Sequence, residues 1–268
     1  MQLVKNVLKL LILNDLMLNP SVSLELVRIE AGVSNCIQAV LLSRDDLDHL
    51  RRMGYSVITY RWLFDPITLS LTNRLSFYIC KERTKALDIL KRIESLEKDP
   101  TSNNVKKMIM LEGKLLGYPK CCTKSFSQKK IGGKSPEKDV ILDCIDQGVF
   151  VEVLENFPEP NLPEKSYSLF TMNFYPCKLD CKRALNVGRM LVEYNPKYRY
   201  KIVLNVLNLL VPVFEVYKSF KHPKTYFGEV VHSFVESLGD LKRKAESIVN
   251  EFRKDPVRFE IDYLRRYA

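Results

Sequence analysis

Two short segments of the chain each place a cysteine within two residues of a Tyr-Pro step. Residues 118–122 read Tyr-Pro-Lys-Cys-Cys, and residues 175–181 read Tyr-Pro-Cys-Lys-Leu-Asp-Cys. Four of the seven cysteines fall in these two segments: Cys121, Cys122, Cys177 and Cys181. Thiols this close together in a sequence are typically ligands, disulfide partners or reactive groups. They form the candidate functional site.

Four interpretations of this cysteine set remain open from the residues alone. Four thiolates are enough to bind zinc or an iron–sulfur cluster, although the usual two-residue spacing within each pair is absent. Two disulfides could instead join one segment to the other, an arrangement that is rare in the cytosol. A reactive thiol, and hence a thiol-dependent enzyme, is the third interpretation. The fourth is that the cysteines are simply small buried apolar side chains.

The residues around these cysteines predict the local backbone structure that carries them. Proline is well placed at the start of a helix, so we expect helices from Pro119 and Pro176, with Cys177 and Cys181 on one face of the second. A helix N-terminus and nearby cations both lower a thiol pKa. Adjacent cysteines in a helix point roughly 100° apart. Cys121 and Cys122 are therefore expected to reach two different partners more easily than one shared atom.

The balance of charge indicates a polyanionic partner. The chain has 42 Lys and Arg against 32 Asp and Glu, a formal net charge of +10. Such an excess favours RNA, a ribosome or DNA, although a basic protein with no such partner has the same composition. The expected nucleic-acid contacts flank the cysteines, occupy a basic glycine-bearing loop, or lie in the C-terminal tail. They are Lys120, Lys124, Lys129, Lys130, Lys134, Lys178, Lys182, Arg183, Arg265 and Arg266.

The two cysteine segments also resemble a known signature. Gly117 to Cys122 reads Gly-Tyr-Pro-x-Cys-Cys, and Pro176 to Cys181 reads Pro-Cys-x3-Cys. Together they look like the blocks of an uncharacterised archaeal family, a domain of unknown function. The resemblance covers about the middle third of the chain and implies only that the four cysteines are functional positions.

An α+β fold in two parts must position these segments. We predict an N-terminal α+β domain over residues 1–98 with a small antiparallel sheet, then a mostly helical, cysteine-bearing domain over residues 99–268. The first part is expected to contain a helix over 2–17, a hairpin of strands 22–29 and 35–42, a helix over 44–53, strands over 57–62 and 76–80, and a helix from residue 84. A short strand is expected over 168–174.

The compartment and the function class follow from these features. Residues 202–214 are the most apolar run, but thirteen residues are too few to span a bilayer. No signal-peptide pattern is present, so a cytoplasmic location is expected. The sequence therefore predicts a cytosolic cysteine-cluster protein that binds zinc or an iron–sulfur cluster and acts in RNA metabolism. The alternatives are a non-enzymatic nucleic-acid or ribosome-binding protein with disulfides, and a thiol enzyme.

Overall fold

The computed structural model describes residues 20–39, 44–171, 174–219 and 225–267. The chain divides into two compact units, Met1–Gly133 and Lys134–Ala268. The helix expected over residues 2–17 lies outside the described residues. The architecture is α+β, with a small antiparallel sheet near the N-terminus followed by helices, as predicted.

The first unit contains the sheet and three helices that follow it. Its described elements, in chain order, are α1 (Pro20–Glu30), β1 (Cys36–Ala39), α2 (Arg44–Arg52), β2 (Ser56–Arg61), β3 (Phe64–Asp65), β4 (Ser70–Leu71), β5 (Leu75–Cys80), α3 (Arg83–Glu97), α4 (Ser102–Leu115) and α5 (Lys120–Ile131). The domain boundary predicted between residues 98 and 99 lies between α3 and α4, which pack against each other.

The first predicted strand is wrong, because residues 22–29 belong to helix α1. Almost every side chain in this stretch is buried, including the polar Ser23 and Arg28. An apolar run that is buried on all sides fits a strand and a helix equally well. Pro20 at the first helical position favours the helix.

The sheet is assembled around β5, in the order β1-β5-β2 with both pairs antiparallel. The predicted hairpin is therefore also wrong, since β1 pairs with the distant β5. The strands expected over 57–62 and 76–80 are confirmed to within one residue at each end. Cys36 lies directly opposite Cys80 in the β1–β5 register, and the two form a buried disulfide.

Helices joined by turns and extended segments make up the described residues of the second unit. Its elements are α6 (Pro136–Asp146), α7 (Val149–Asn156), a 3-10 helix (Glu164–Leu169), α8 (Lys182–Tyr194), α9 (Tyr198–Ser219), α10 (Tyr226–Ser237), α11 (Leu241–Lys254) and α12 (Pro256–Tyr267). The strand expected over 168–174 is wrong, because the 3-10 helix occupies its start.

Helix α9 is the centre of this unit and packs against α6, α7, α10, α11 and α12. By length and composition it is also apolar enough to cross a membrane. More than half of its most apolar window is buried inside the fold. The core helix of a folded domain has the same composition, so α9 carries no argument for a membrane span.

Candidate metal centre

Cys121 and Cys122 lie in the first turn of α5, as the sequence predicts. Pro119 precedes the helix, and its carbonyl accepts the backbone N–H groups of Cys122 and Thr123, each at 3.0 Å. Cys122 is fully buried and Cys121 is half-buried. Both thiols therefore stand at the positive end of the helix dipole, which stabilises a thiolate.

The turn before α5 depends on Gly117. Its φ is +73°, in the left-handed region that favours glycine. A Cβ placed there would lie 2.3 Å from the carbonyl oxygen of Val33 and 2.8 Å from Cα of Ser34. The glycine thus allows the chain to pass directly against the α1–β1 connection.

Tyr118 fixes the same turn from its other side. Its backbone N–H donates to the Gly113 carbonyl at 2.8 Å, and the Arg28 guanidinium lies 5.3 Å from the centre of its ring. Arg28 is itself buried, donates to the Leu116 carbonyl and pairs with Glu25 at 2.9 Å. Burial raises the pKa of Tyr118 to about 12. The Gly-Tyr-Pro step is therefore a positioning device for the two cysteines that follow.

Cys177 and Cys181 lie on a turn and not on a helix, so that prediction is wrong. Helix α8 begins only at Lys182, and Cys181 is its N-cap residue. The Cys181 N–H donates to the Lys178 carbonyl at 3.1 Å, and the Cys181 carbonyl accepts from Leu185 N at 2.9 Å. The chain thus folds back between the two cysteines. Proline can precede such a turn as well as a helix, and this is why Pro176 misled the prediction.

The second Tyr-Pro step is also anchored by its tyrosine. The Tyr175 hydroxyl donates to Glu137 at 3.1 Å. Burial, with the neighbouring Glu137 carboxylate, raises the pKa of Tyr175 well above its ordinary value. The hydroxyl therefore stays protonated and keeps its hydrogen bond at neutral pH.

The four cysteine sulfurs form one cluster. Their Sγ atoms all lie within 4.8 Å of one another, and those of Cys121 and Cys122 are 3.8 Å apart. Cys122 and Cys181 are buried, whereas Cys121 and Cys177 are half-buried. None of the four is in a disulfide. A group of thiols this compact can hold a metal ion.

The remaining three cysteines are structural. The alternative of two disulfides between the segments is wrong, since none of those four cysteines is in a disulfide, and Cys36 and Cys80 form one instead, at a sequence separation of 44. Cys144 is buried in α6, and burial raises the pKa of its thiol well above the ordinary value. The position of both cysteines near the ends of predicted strands is the sequence signal for this disulfide.

The predicted nucleic-acid contacts are mostly on the surface. Lys129 and Lys130 are half-buried in the last turn of α5, which continues into the predicted basic loop. Lys178 pairs with Asp180 at 3.0 Å, so part of its charge is compensated. The other predicted cations are exposed: Lys120, Lys124, Lys134, Lys182, Arg183, Arg265 and Arg266.

Sequence reasoning missed a buried carboxyl group in the first unit. Glu112 of α4 is buried and accepts the Tyr78 hydroxyl at 2.8 Å. Burial raises the pKa of Glu112 to about 7. No sequence pattern indicates it, because a glutamate on an otherwise amphipathic helix is typically solvated.

Comparisons with known proteins bear on the segment that holds the cysteines. No curated protein and no solved structure matches the chain. A family model does match, in agreement with the resemblance to a domain of unknown function that the two cysteine segments indicated. The match covers residues 79–211, which include Cys121, Cys122, Cys177 and Cys181, and the family is described as a protein of unknown function (DUF483).

Proposed function

We propose that this protein binds one zinc ion through the thiolates of Cys121, Cys122, Cys177 and Cys181. The observation that carries the proposal is the compactness of the cluster, with all four Sγ atoms within 4.8 Å of one another. Zinc in structural sites takes four ligands at the corners of a tetrahedron. With Zn–S bonds of about 2.3 Å, neighbouring sulfurs in such a tetrahedron are about 3.8 Å apart.

The same spacing favours a single ion over an iron–sulfur cluster. A cluster inserts two or four irons and their bridging sulfides between the thiolates. Its cysteine sulfurs therefore stand farther apart than those around a single ion. The cluster seen here is close to the size that one tetrahedral ion requires.

The charges around the sulfurs also suit a zinc tetrathiolate, which carries a net charge of −2. Cys121 and Cys122 lie at the N-terminus of α5, and Cys181 caps the N-terminus of α8. The positive ends of both helix dipoles stabilise negative charge there. Lys120, Lys124 and Lys182 add exposed positive charge next to the ligands in the sequence.

Metal analysis tests the proposal directly. We expect about one zinc and no iron per chain after purification under anaerobic conditions. A brown protein with visible absorption and several irons per chain would establish an iron–sulfur cluster instead. A metal-free protein that reacts stoichiometrically with an alkylating reagent at Cys121 would support the thiol-enzyme alternative.

We propose further that the protein acts in RNA metabolism by binding RNA. The net charge of +10 and the exposed cations on both sides of the cysteines support this second function. Binding through phosphates makes the logarithm of affinity fall linearly with the logarithm of salt concentration. Titration of a labelled single-stranded RNA at several salt concentrations tests it. Affinity that does not change with salt would contradict it.

A further inference from the structure

A groove of about 450 Å³ runs between α3 and α4 in the first unit. Its walls carry three cations, Arg92 from α3 and Lys106 and Lys107 from α4. The apolar side chains of Leu96, Met110 and Leu111 also line it. No aspartate or glutamate is among the described residues that line it. The groove thus combines three positive charges with apolar side chains.

The three cations are available to a ligand. Among the described residues, no ion pair joins Arg92, Lys106 or Lys107 to a carboxylate. Lys107 and Arg92 are exposed and Lys106 is half-buried. Three like charges around one groove repel one another unless an anion lies between them.

We propose that the α3–α4 groove binds the phosphate backbone of a single-stranded nucleic acid. The proposal rests on the RNA-binding function above and adds its location. Arg92 and the two lysines contact successive phosphates from opposite walls, because they belong to two different helices. The apolar side chains that line the groove pack against the ribose faces, while the cations bind the phosphate oxygens. The groove has no base-reading aromatic ring among its lining residues, so binding is independent of base sequence.

The groove lies apart in sequence from every cation that the sequence analysis singled out. Arg92, Lys106 and Lys107 are scattered singly or in pairs along two amphipathic helices. A charge on such a helix is ordinarily a solvated residue. Only the packing of α3 against α4 brings the three onto one groove.

The test compares two triple variants that remove the same charge. The groove variant is Arg92→Ala, Lys106→Ala and Lys107→Ala in the full chain. The control variant is Lys165→Ala, Lys197→Ala and Arg199→Ala, three exposed cations that do not line the groove. The probes are a labelled oligouridine RNA and a DNA of matching length, measured by fluorescence anisotropy at several salt concentrations. Circular dichroism and zinc content establish that both variants fold as the wild type does.

We expect the groove variant to bind either probe more weakly, with a salt dependence shallower by about two, since each single-strand phosphate contact contributes about 0.7 to the slope. The control variant should keep most of the slope. Equal losses in the two variants would overturn the proposal, because net charge alone would then explain binding. A groove variant that binds like the wild type also overturns it, while the RNA-binding function stands. Failure of the wild type to bind either probe refutes the RNA-binding function itself.

Discussion

The sulfur atoms of Cys121 and Cys122 lie 3.8 Å apart on the first turn of α5. This is the edge length of a zinc–sulfur tetrahedron, about 3.8 Å for Zn–S bonds of about 2.3 Å. The sequence had suggested two separate partners for these neighbours, because adjacent helical side chains diverge by about 100°. Rotation of the two side chains about their Cα–Cβ bonds brings the two sulfurs together despite this divergence. The adjacent pair can therefore occupy two corners around one ion.

Replacing any one of the four cluster cysteines with serine should weaken metal binding. Co²⁺ substituted for zinc reports this, since a tetrahedral thiolate site gives intense visible absorption. We expect Cys122→Ser and Cys177→Ser each to lower Co²⁺ affinity by more than about 100-fold, beyond the loss that removal of an outer-shell partner causes. Cys144→Ala is the matched control, because Cys144 is buried in α6 away from the cluster. It should leave the spectrum unchanged.

One result would refute a four-thiolate site. If Cys177→Ser and Cys181→Ser bind Co²⁺ with the wild-type spectrum while Cys122→Ser does not, only the first segment contributes ligands. Single substitutions at all four positions therefore show which of the four cysteines are metal ligands.

Reduction of the Cys36–Cys80 disulfide should destabilise the first unit. The crosslink joins positions 44 residues apart, and closing a loop of that length in the unfolded chain contributes about 4 kcal/mol to the free energy of unfolding. Cys36→Ala with Cys80→Ala should lower the midpoint of urea unfolding and abolish the effect of reductant. The zinc content should stay the same, because neither cysteine belongs to the cluster. A reductant effect that persists in the double variant would locate the sensitive bond elsewhere.

The sequence predicted the α+β class because its strongest periodic signals are local. The strands 75–80 and 56–61 and the helix from Arg83 are each bounded by turn residues or caps. The partner of β1 could not be predicted in the same way, since pairing between residues 36 and 80 depends on packing of the whole unit. The buried run 22–29 failed for a different reason, because burial on all sides erases the period that distinguishes a helix from a strand.

The sequence predicted which four cysteines form the site. It predicted the backbone conformation correctly for Cys121 and Cys122 but not for Cys177 and Cys181. Pro119 leads into a helix and Pro176 leads into a turn, although the two segments look alike in sequence. The difference lies in contacts that are distant along the chain, such as that of Gly117 with Val33. The α3–α4 groove and the buried Glu112 gave no sequence signal at all.

Gly117→Ala should destabilise the protein more than Gly133→Ala. Both glycines have positive φ values, +73° and +71°, so both variants incur the cost of about 1–2 kcal/mol for a left-handed alanine. Only at Gly117 would the new Cβ also collide with backbone, 2.3 Å from the Val33 oxygen, whereas nothing lies within 4 Å at Gly133. Urea unfolding of the two variants measures the difference.

Because the collision displaces the turn that leads to Cys121, we also expect weaker zinc binding in Gly117→Ala alone. Equal destabilisation would show that the contact with Val33 carries no energy.

Stability should depend on pH through Glu112. Burial raises the pKa of this carboxyl from 4.5 to about 7, so the folded protein holds a proton that the unfolded chain releases between those values. The stabilisation is fully present below about pH 4.5 and is lost as pH rises through 7, by about 3 kcal/mol in all.

Glutamine at this position stays neutral and still accepts the Tyr78 hydroxyl. Glu112→Gln should therefore flatten the decline in the free energy of unfolding over this range and exceed the wild type in stability above about pH 8. Tyr78→Phe removes the donor that stabilises the carboxylate, so it should shift the decline to higher pH. If the Gln variant loses stability over the same pH range as the wild type, another group is responsible.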